Sequence, residues 1–212
     1  MERLKMSVLY GADAVYLGAK VLNARRNAAN FDDLSLEETV RYCHERDVSV
    51  HLTLNTMMYD TEIRQAVEVI EQACRADVDA VIVQDFGLIW LLKTFIPDLE
   101  VHASTQMGIN NYSSIKWAYK NNIKRIVLPR ETKLNELKEL VNHAHSLNME
   151  VEIFTHGALC YSYSGHCLLS SFQGGRSGNR GTCAQPCRRK YKVSGLKKED
   201  YYLSPCDLSL YD

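Results

Sequence analysis

The chain has 212 residues, 46% hydrophobic and 24% charged, with a formal net charge of −1 at pH 7. That composition fits one globular domain with a sizeable core. No run approaches the roughly 18 to 20 apolar residues that cross a bilayer, and the opening "MERLKMSVLYGADAVYLG" lacks the basic, apolar and small-residue order of a secretory signal, so a cytoplasmic protein with no membrane contact is expected.

From residue 13 onward, short β-branched runs alternate with amphipathic stretches, the pattern of βα units around a parallel sheet. A strand is predicted over 13–19, followed by a loop carrying Arg25, Arg26 and Asn27. The helix "LSLEETVRYCHER" comes next, with Ser35 and Glu38 spaced as a capping box. Strands over 48–55, 79–85, 99–104, 124–130 and 150–157 then alternate with "TEIRQAVEVIEQACR", "FGLIWLLKTFI", "SSIKWAYKNN" and "KLNELKELVNHAHSLN".

Six such units, each strand mostly apolar and so covered on both faces, favour a TIM-like (β/α) barrel, with an open doubly wound sheet as the alternative. The expected division is 1–157 as barrel and 158–212 as a Cys-rich, basic segment packing on its mouth. Chemistry in a barrel collects at the carboxyl ends of the strands. Asn55, Gln84, Asp85, Ser104, Thr105, Gln106, Arg130, Glu131 and His156 fall there and outline a polar mouth. His51 and His102 fall inside strands, where a hydrogen-bonded packing role is expected.

Residues 171–198 contain Arg176, Arg180, Arg188, Arg189, Lys190, Lys192, Lys197 and Lys198 and no acidic residue. Beside Tyr163 and Tyr191, such a stretch is the footprint of a phosphate-bearing partner, which points to nucleic acid.

A reducing compartment makes disulfides improbable for the seven cysteines. Cys43 and Cys74 match the buried faces of helices. Cys160, Cys167, Cys183, Cys187 and Cys206 crowd into fewer than fifty residues, and loops containing Gly165 and Pro186 let them wrap a centre. Four soft donors suit an iron–sulfur cluster, zinc is the alternative, and unligated or redox thiols are a third reading. His156 before Cys160 and His166 before Cys167 allow a Cys–His nucleophile, but no third, orienting residue is identifiable.

"EIFTHGALCYSYSGHCLLS" (152–170) resembles the signature of the collagenase-like peptidase family U32, through Glu152, Phe154, Gly157, Ala158, Cys160, Gly165, Cys167 and Ser170. The likeness extends to "GADAVYLG", "LTLNT", "DAVIVQD", "HASTQM" and "GGRSGNRGTCAQPCR", and so covers essentially the whole chain. The resemblance implies a barrel that continues beyond this sequence at both ends, with possible partner segments. Its nearest branch implies oxygen-independent hydroxylation of a tRNA wobble uridine by a 4Fe–4S protein, with prephenate as hydroxyl donor. Carried across by position, it implies cluster ligands at Cys160, Cys167, Cys187 (or Cys183) and Cys206. Arg25 and Arg130 are then candidates to hold the donor's carboxylates, with His156 as the third catalytic candidate. Arg176, Arg180, Arg188, Arg189 and Lys190 are expected on RNA phosphates. The alternative activity is the proteolysis for which the family is named.

Overall fold

The computed structural model of the chain describes residues 1–24, 26, 33–157, 160–192, 202 and 203. Its frame is one parallel sheet in the strict order of the chain: β1 (Ala14–Gly18), β2 (Ser49–Leu54), β3 (Ala80–Val83), β4 (Glu100–Ala103), β5 (Ile123–Val127) and β6 (Glu150–Glu152). A doubly wound sheet reverses its order at a switch point. An unbroken one-to-six order of parallel neighbours is instead the wall of a β/α barrel, here a half-barrel.

Side chains alternate between the two faces of each strand. Val15, Leu17, Val50, Leu52, Leu54, Val81, Val83, Val101, Ala103 and Ile126 take one set of positions and join the core with helix residues such as Ala66, Leu88, Leu92 and Ile115. The other set mixes polar residues, among them His51, Thr53, His102, Arg125 and Glu150, with the buried Ala80, Ile82 and Val127. The register puts His102 beside Arg125 and Arg125 beside Glu150, and Arg125 Nε donates to Glu150 at 2.8 Å.

The connecting helices are α2 (Asp33–His44), α3 (Asp60–Arg75), α4 (Phe86–Phe95), α5 (Tyr112–Lys120) and α6 (Leu134–Ser146). Their ends explain the repeat. Asp47, Asp77, Asn122 and Asn148 each follow a helix with φ between 55° and 60°, a left-handed conformation that Asn and Asp tolerate best after glycine. At three of these turns the next N–H reaches back to a carbonyl in the last helical turn: Val48 to Cys43, Val78 to Ala73 and Met149 to Ala144. The chain is thereby aimed into the following strand. At the other end, the Asp85 side chain accepts the Leu88 N–H at 2.9 Å and the Asn111 side chain that of Ser114 at 2.9 Å, which starts α4 and α5. The cap expected from Ser35 and Glu38 lies outside the described side chains.

The structure corrects several expectations. A helix, α1 (Glu2–Leu9), precedes β1 where none was foreseen, because eight residues with only Leu4 buried carry little periodic signal. Strands β5 and β6 end at Val127 and Glu152, short of the predicted 130 and 157, so Arg130 and His156 lie in loops beyond the sheet. Cys43 is buried as expected, but Cys74 is exposed. Its neighbour Ala73 takes the fully buried position on α3.

Beyond β6 the described chain forms α7 (Leu169–Gly174), 3-10 turns over Gly178–Arg180 and Pro186–Arg188, and β7 (Tyr191–Lys192), which pairs antiparallel with β8 (Tyr202–Leu203). Among the described residues no helix is long and apolar enough to cross a membrane.

Candidate functional site at the barrel mouth

The polar residues at the strand ends bond chiefly to one another. Ser104, directly after β4, accepts the Gln106 N–H at 3.2 Å and opens a 3-10 turn over Thr105–Met107. Gln84 Nε2 donates to the Gln106 carbonyl at 3.3 Å, and Gln106 Nε2 donates to the Asn55 carbonyl at 3.2 Å. Asn55 Nδ2 donates to Ser104 Oγ at 3.3 Å, and its Oδ1 accepts the Ala24 N–H at 2.9 Å. Asp85 divides its carboxylate between the α4 cap and the Met58 N–H at 3.1 Å. The loops after β1, β2, β3 and β4 are thus laced into one rim.

The Cys-rich segment docks on that rim through close backbone approach. Gly165 has φ +76°, and a Cβ there would collide with the Gln106 carbonyl; Gly181, also at +76°, would collide with that of Asn23. Only glycine fits either place without displacing backbone. Polar ties complete the seal. Arg130 Nη1 donates to the Cys160 carbonyl at 2.9 Å, and its Nη2 to the Ser162 carbonyl at 3.4 Å and Ser164 Oγ at 3.3 Å. Glu131 accepts the Ser164 N–H and hydroxyl, each at 3.0 Å, and Asn179 Nδ2 donates to the Gly165 carbonyl at 2.7 Å.

These ties enclose a cavity of about 410 Å³ lined by Cys160, Cys167, Cys183 and Cys187, with Tyr161 and Tyr163 at its side. Cys160 and Cys183 are exposed, Cys167 and Cys187 half-buried. Four thiols that approach from two stretches of chain, one before and one after α7, and share one cavity form a soft donor set. No three His, Cys, Asp or Glu side chains among the described residues gather as a ready single-ion site. Cys206, the fifth expected thiol, lies outside the described residues.

The remaining predicted residues fall in different places. Arg25 and Asn27 lie outside the described residues, as do Lys197 and Lys198. Arg130, expected to grip a carboxylate, lines the cavity but donates to the loop that carries Cys160. His156 is exposed, four residues past β6, and is not part of the cavity wall. Arg180, expected on phosphate, is bonded to Glu62 and to the Met57 carbonyl and lies over the Tyr59 ring at 4.7 Å. Arg176 Nε donates to the Thr182 carbonyl at 2.8 Å, while Arg176, Arg188, Arg189 and Lys190 are all exposed. Sequence reasoning missed Ser164 and Asn179 as organising residues. The signal available was small, a serine directly before a glycine between two cysteines.

Two pKa shifts mark the wall and the seal. Burial holds the His51 imidazole down to about 4, helped by His102 and Arg125; the ring packs edge-on against His102 with centroids 4.7 Å apart. Burial opposes the charge on Glu62, yet the Tyr59 N–H, Arg180 and Arg26 together keep its carboxyl below the ordinary value.

A parallel β/α half-barrel with a thiol-lined cavity at its carboxyl mouth defines the class of protein. The chain belongs to peptidase family U32, whose model matches residues 1–212. It is 40% identical over 220 residues to an uncharacterized protease of Methanocaldococcus jannaschii, covering 99% of this chain and 53% of that protein. It is 40% identical over 188 residues to the 23S rRNA 5-hydroxycytidine C2501 synthase of Escherichia coli, covering 88% and 28%. It is 31% identical over 223 residues to tRNA hydroxylation protein P1 of Bacillus subtilis, covering 100% and 52%. The chain therefore spans about half, or less, of the length of these relatives. Among solved structures the U32 peptidase Mk0906 matches with a TM-score of 0.54 at 18% identity over 72% of this chain and 63% of that one, a likeness of fold alone.

Proposed function

We propose that this chain is part of an RNA hydroxylase: it supports iron–sulfur-dependent, oxygen-independent hydroxylation of a tRNA wobble uridine, with prephenate as hydroxyl donor. The observation that carries the reading is the convergence of Cys160, Cys167, Cys183 and Cys187 on one cavity at the barrel mouth. The names of the rRNA and tRNA relatives supply the substrate class. Cys160, Cys167, Cys183 and Cys187 would hold the cluster, with Cys206 as a further candidate. A bound cluster supplies one-electron redox chemistry at that wall. Arg130, Glu131 and Ser164 fix the loop that presents Cys160. The exposed Tyr161 and Tyr163 offer flat faces for an unstacked base, and Arg188, Arg189 and Lys190 offer cations for its phosphates.

Nucleoside mass spectrometry of RNA from cells with and without the gene tests the activity. Loss of a hydroxylated uridine on deletion is expected. A deletion that leaves every hydroxylated nucleoside in place would refute the reading. Anaerobically purified protein is expected to carry iron and sulfide, both lost together in Cys160→Ala and Cys167→Ala.

A second reading, peptide hydrolysis, is favoured by one observation, that Cys160 and His166 line the same cavity. It predicts cleavage of a gelatin-type substrate that survives removal of iron and vanishes in Cys160→Ala.

A further inference from the structure

The fold leaves the outer face of α4 and α5 uncovered. Apart from Lys93 and Thr94, α4 is apolar on every side, and a helix of that kind is normally covered all round. Leu88, Ile89 and Leu92 face the core, but Phe86 and Trp90, one turn apart on the other side, are 57% and 60% exposed. The two helices lie side by side: Phe86 packs edge-on against Trp117 of α5 with ring centroids 5.0 Å apart, and Lys93 Nζ donates to the Lys120 carbonyl at 2.7 Å. Helical spacing puts Lys93 on the stripe of Phe86 and Trp90 and sets Lys116 beside Lys120, and all three lysines are exposed.

The charge of this face follows from its neighbours, all of which are described between residues 60 and 146. Neither helix contains Asp or Glu. Asp85 caps α4 and accepts the Met58 N–H, Glu100 bonds to His102 on the sheet, and Glu139 of α6 accepts the Tyr112 hydroxyl on the far flank of α5. On α3 the exposed Glu68 and Glu71 each lie four residues from an exposed arginine, Arg64 and Arg75, so those charges cancel. Asp98, beyond the end of α4, offsets one lysine, and the face stays positive. Like charge argues against a second copy of this chain, because a two-fold contact would set the same lysines against one another. Position argues for RNA. Asp85 is laced into the rim, so Phe86 stands at the barrel mouth, and Trp90 and Lys93 follow about 6 and 10 Å down the outside. The thiol cavity, at about 410 Å³, is the size of a pocket for one small molecule, and the rest of an RNA presented to it has to lie on the outer surface.

We infer that the outer face of α4 and α5 docks RNA: Phe86 and Trp90 stack unpaired bases, and Lys93, Lys116 and Lys120 hold the phosphates between them. This role rests on the RNA reading above and extends it from the cavity to the outer wall.

Fluorescence anisotropy of a labelled, unmodified tRNA transcript titrated with the whole chain is the test. Trp90→Ala should weaken binding about tenfold, the loss of one stacked base. Lys116→Gln combined with Lys120→Gln should lower the slope of log affinity against log salt by about two, one for each phosphate contact removed. All three side chains are exposed, so the variants keep the fold, and a thermal melt of each checks this. If both variants bind the transcript as the parent does, the docking face is overturned while hydroxylation at the cavity stands. A parent that binds no RNA overturns both. Trp90→Ala that keeps its tRNA affinity but loses binding to phosphatidylglycerol vesicles, or loses a dimer seen for the parent in sedimentation, gives the face to a bilayer or to a second copy and overturns the inference equally.

Discussion

The barrel wall and the Cys-rich cap are built by different physics. In the wall, Leu52, Leu54, Leu88, Leu92, Ile115 and Ile126 are at most 1% exposed, and the strands pair in chain order. In the described cap, residues 160–192, only Ser164, Ser170, Gly181 and Pro186 are buried, while Tyr161, Tyr163, Leu168 and Phe172 are more than half exposed. Among its described residues the cap has no apolar core of its own. Its shape rests on two glycine contacts and a set of hydrogen bonds to the rim, each bond contributing about 0.5–1.5 kcal/mol net. Such a segment is specified by the surface it lies on. In the proposed function it is specified also by whatever its thiols hold, which makes metal loading and cap order two readings of one equilibrium.

The contrast can be broken most forcefully in the wall. Leu88→Ala removes a fully buried side chain from α4 and should cost about 2–5 kcal/mol, lowering the global denaturation midpoint for every probe at once. A loss confined to the cap would contradict the division. Acid should act on the wall next. Burial first, then His102 and Arg125, hold His51 neutral with a pKa near 4 against an ordinary 6.5, while Asp79 and Glu100 pull the other way. The unfolded chain binds the proton first, so this stability is complete above pH 6.5 and is lost as the pH falls toward 4. At about 1.4 kcal/mol per pH unit the loss is roughly 3 kcal/mol. Denaturant titrations at pH 7 and pH 4.5 should show it, and His51→Gln should flatten the slope; an equal slope in the variant would remove His51 as its source.

Gly165→Ala sharpens the comparison from the other side. It adds a Cβ against the Gln106 carbonyl in a left-handed conformation and should cost the docked cap about 1–3 kcal/mol. Amide exchange should quicken across 160–190 while β2 to β5 keep their protection. Uniform quickening would mean that wall and cap unfold as one unit.

The same division explains what the sequence revealed. The six strands and five of the helices were legible because burial imposes a period on the wall, and the carboxyl ends followed from the strand assignments. The clustering of cysteines was legible too, and Cys160, Cys167, Cys183 and Cys187 do line one cavity. The partners of the cations were not legible. Nothing near Arg180 in the sequence announces Glu62, which lies 118 residues away, and Arg130 meets Ser164 across 34 residues of chain. Helix α1 and Cys74 failed for the opposite reason, since a short helix or one position on a solvated face yields too weak a period to rank against its neighbours.

The smallest effect tests the longest of these ties. Arg180 reaches from the cap to Glu62 and the Met57 carbonyl, with the two charged side chains 26% and 22% exposed. A tether so placed is worth about 1 kcal/mol, well below a core leucine. Because the folded pKa of Glu62 lies below its ordinary value of 4.5, its stabilisation is complete above that value and is lost as the pH falls through the folded pKa. Limited proteolysis of the glycine-rich loop at 174–181 should therefore accelerate several-fold between pH 5.5 and pH 3.5 under a protease active at both. Glu62→Gln should show the faster cutting already at pH 5.5 and little further change. If the variant and the parent gain the same increment on acidification, the acid-labile tie lies elsewhere, and the described contacts that hold the cap at this edge are those to the Met57 carbonyl, the Tyr59 ring and, through Gly181, the Asn23 backbone.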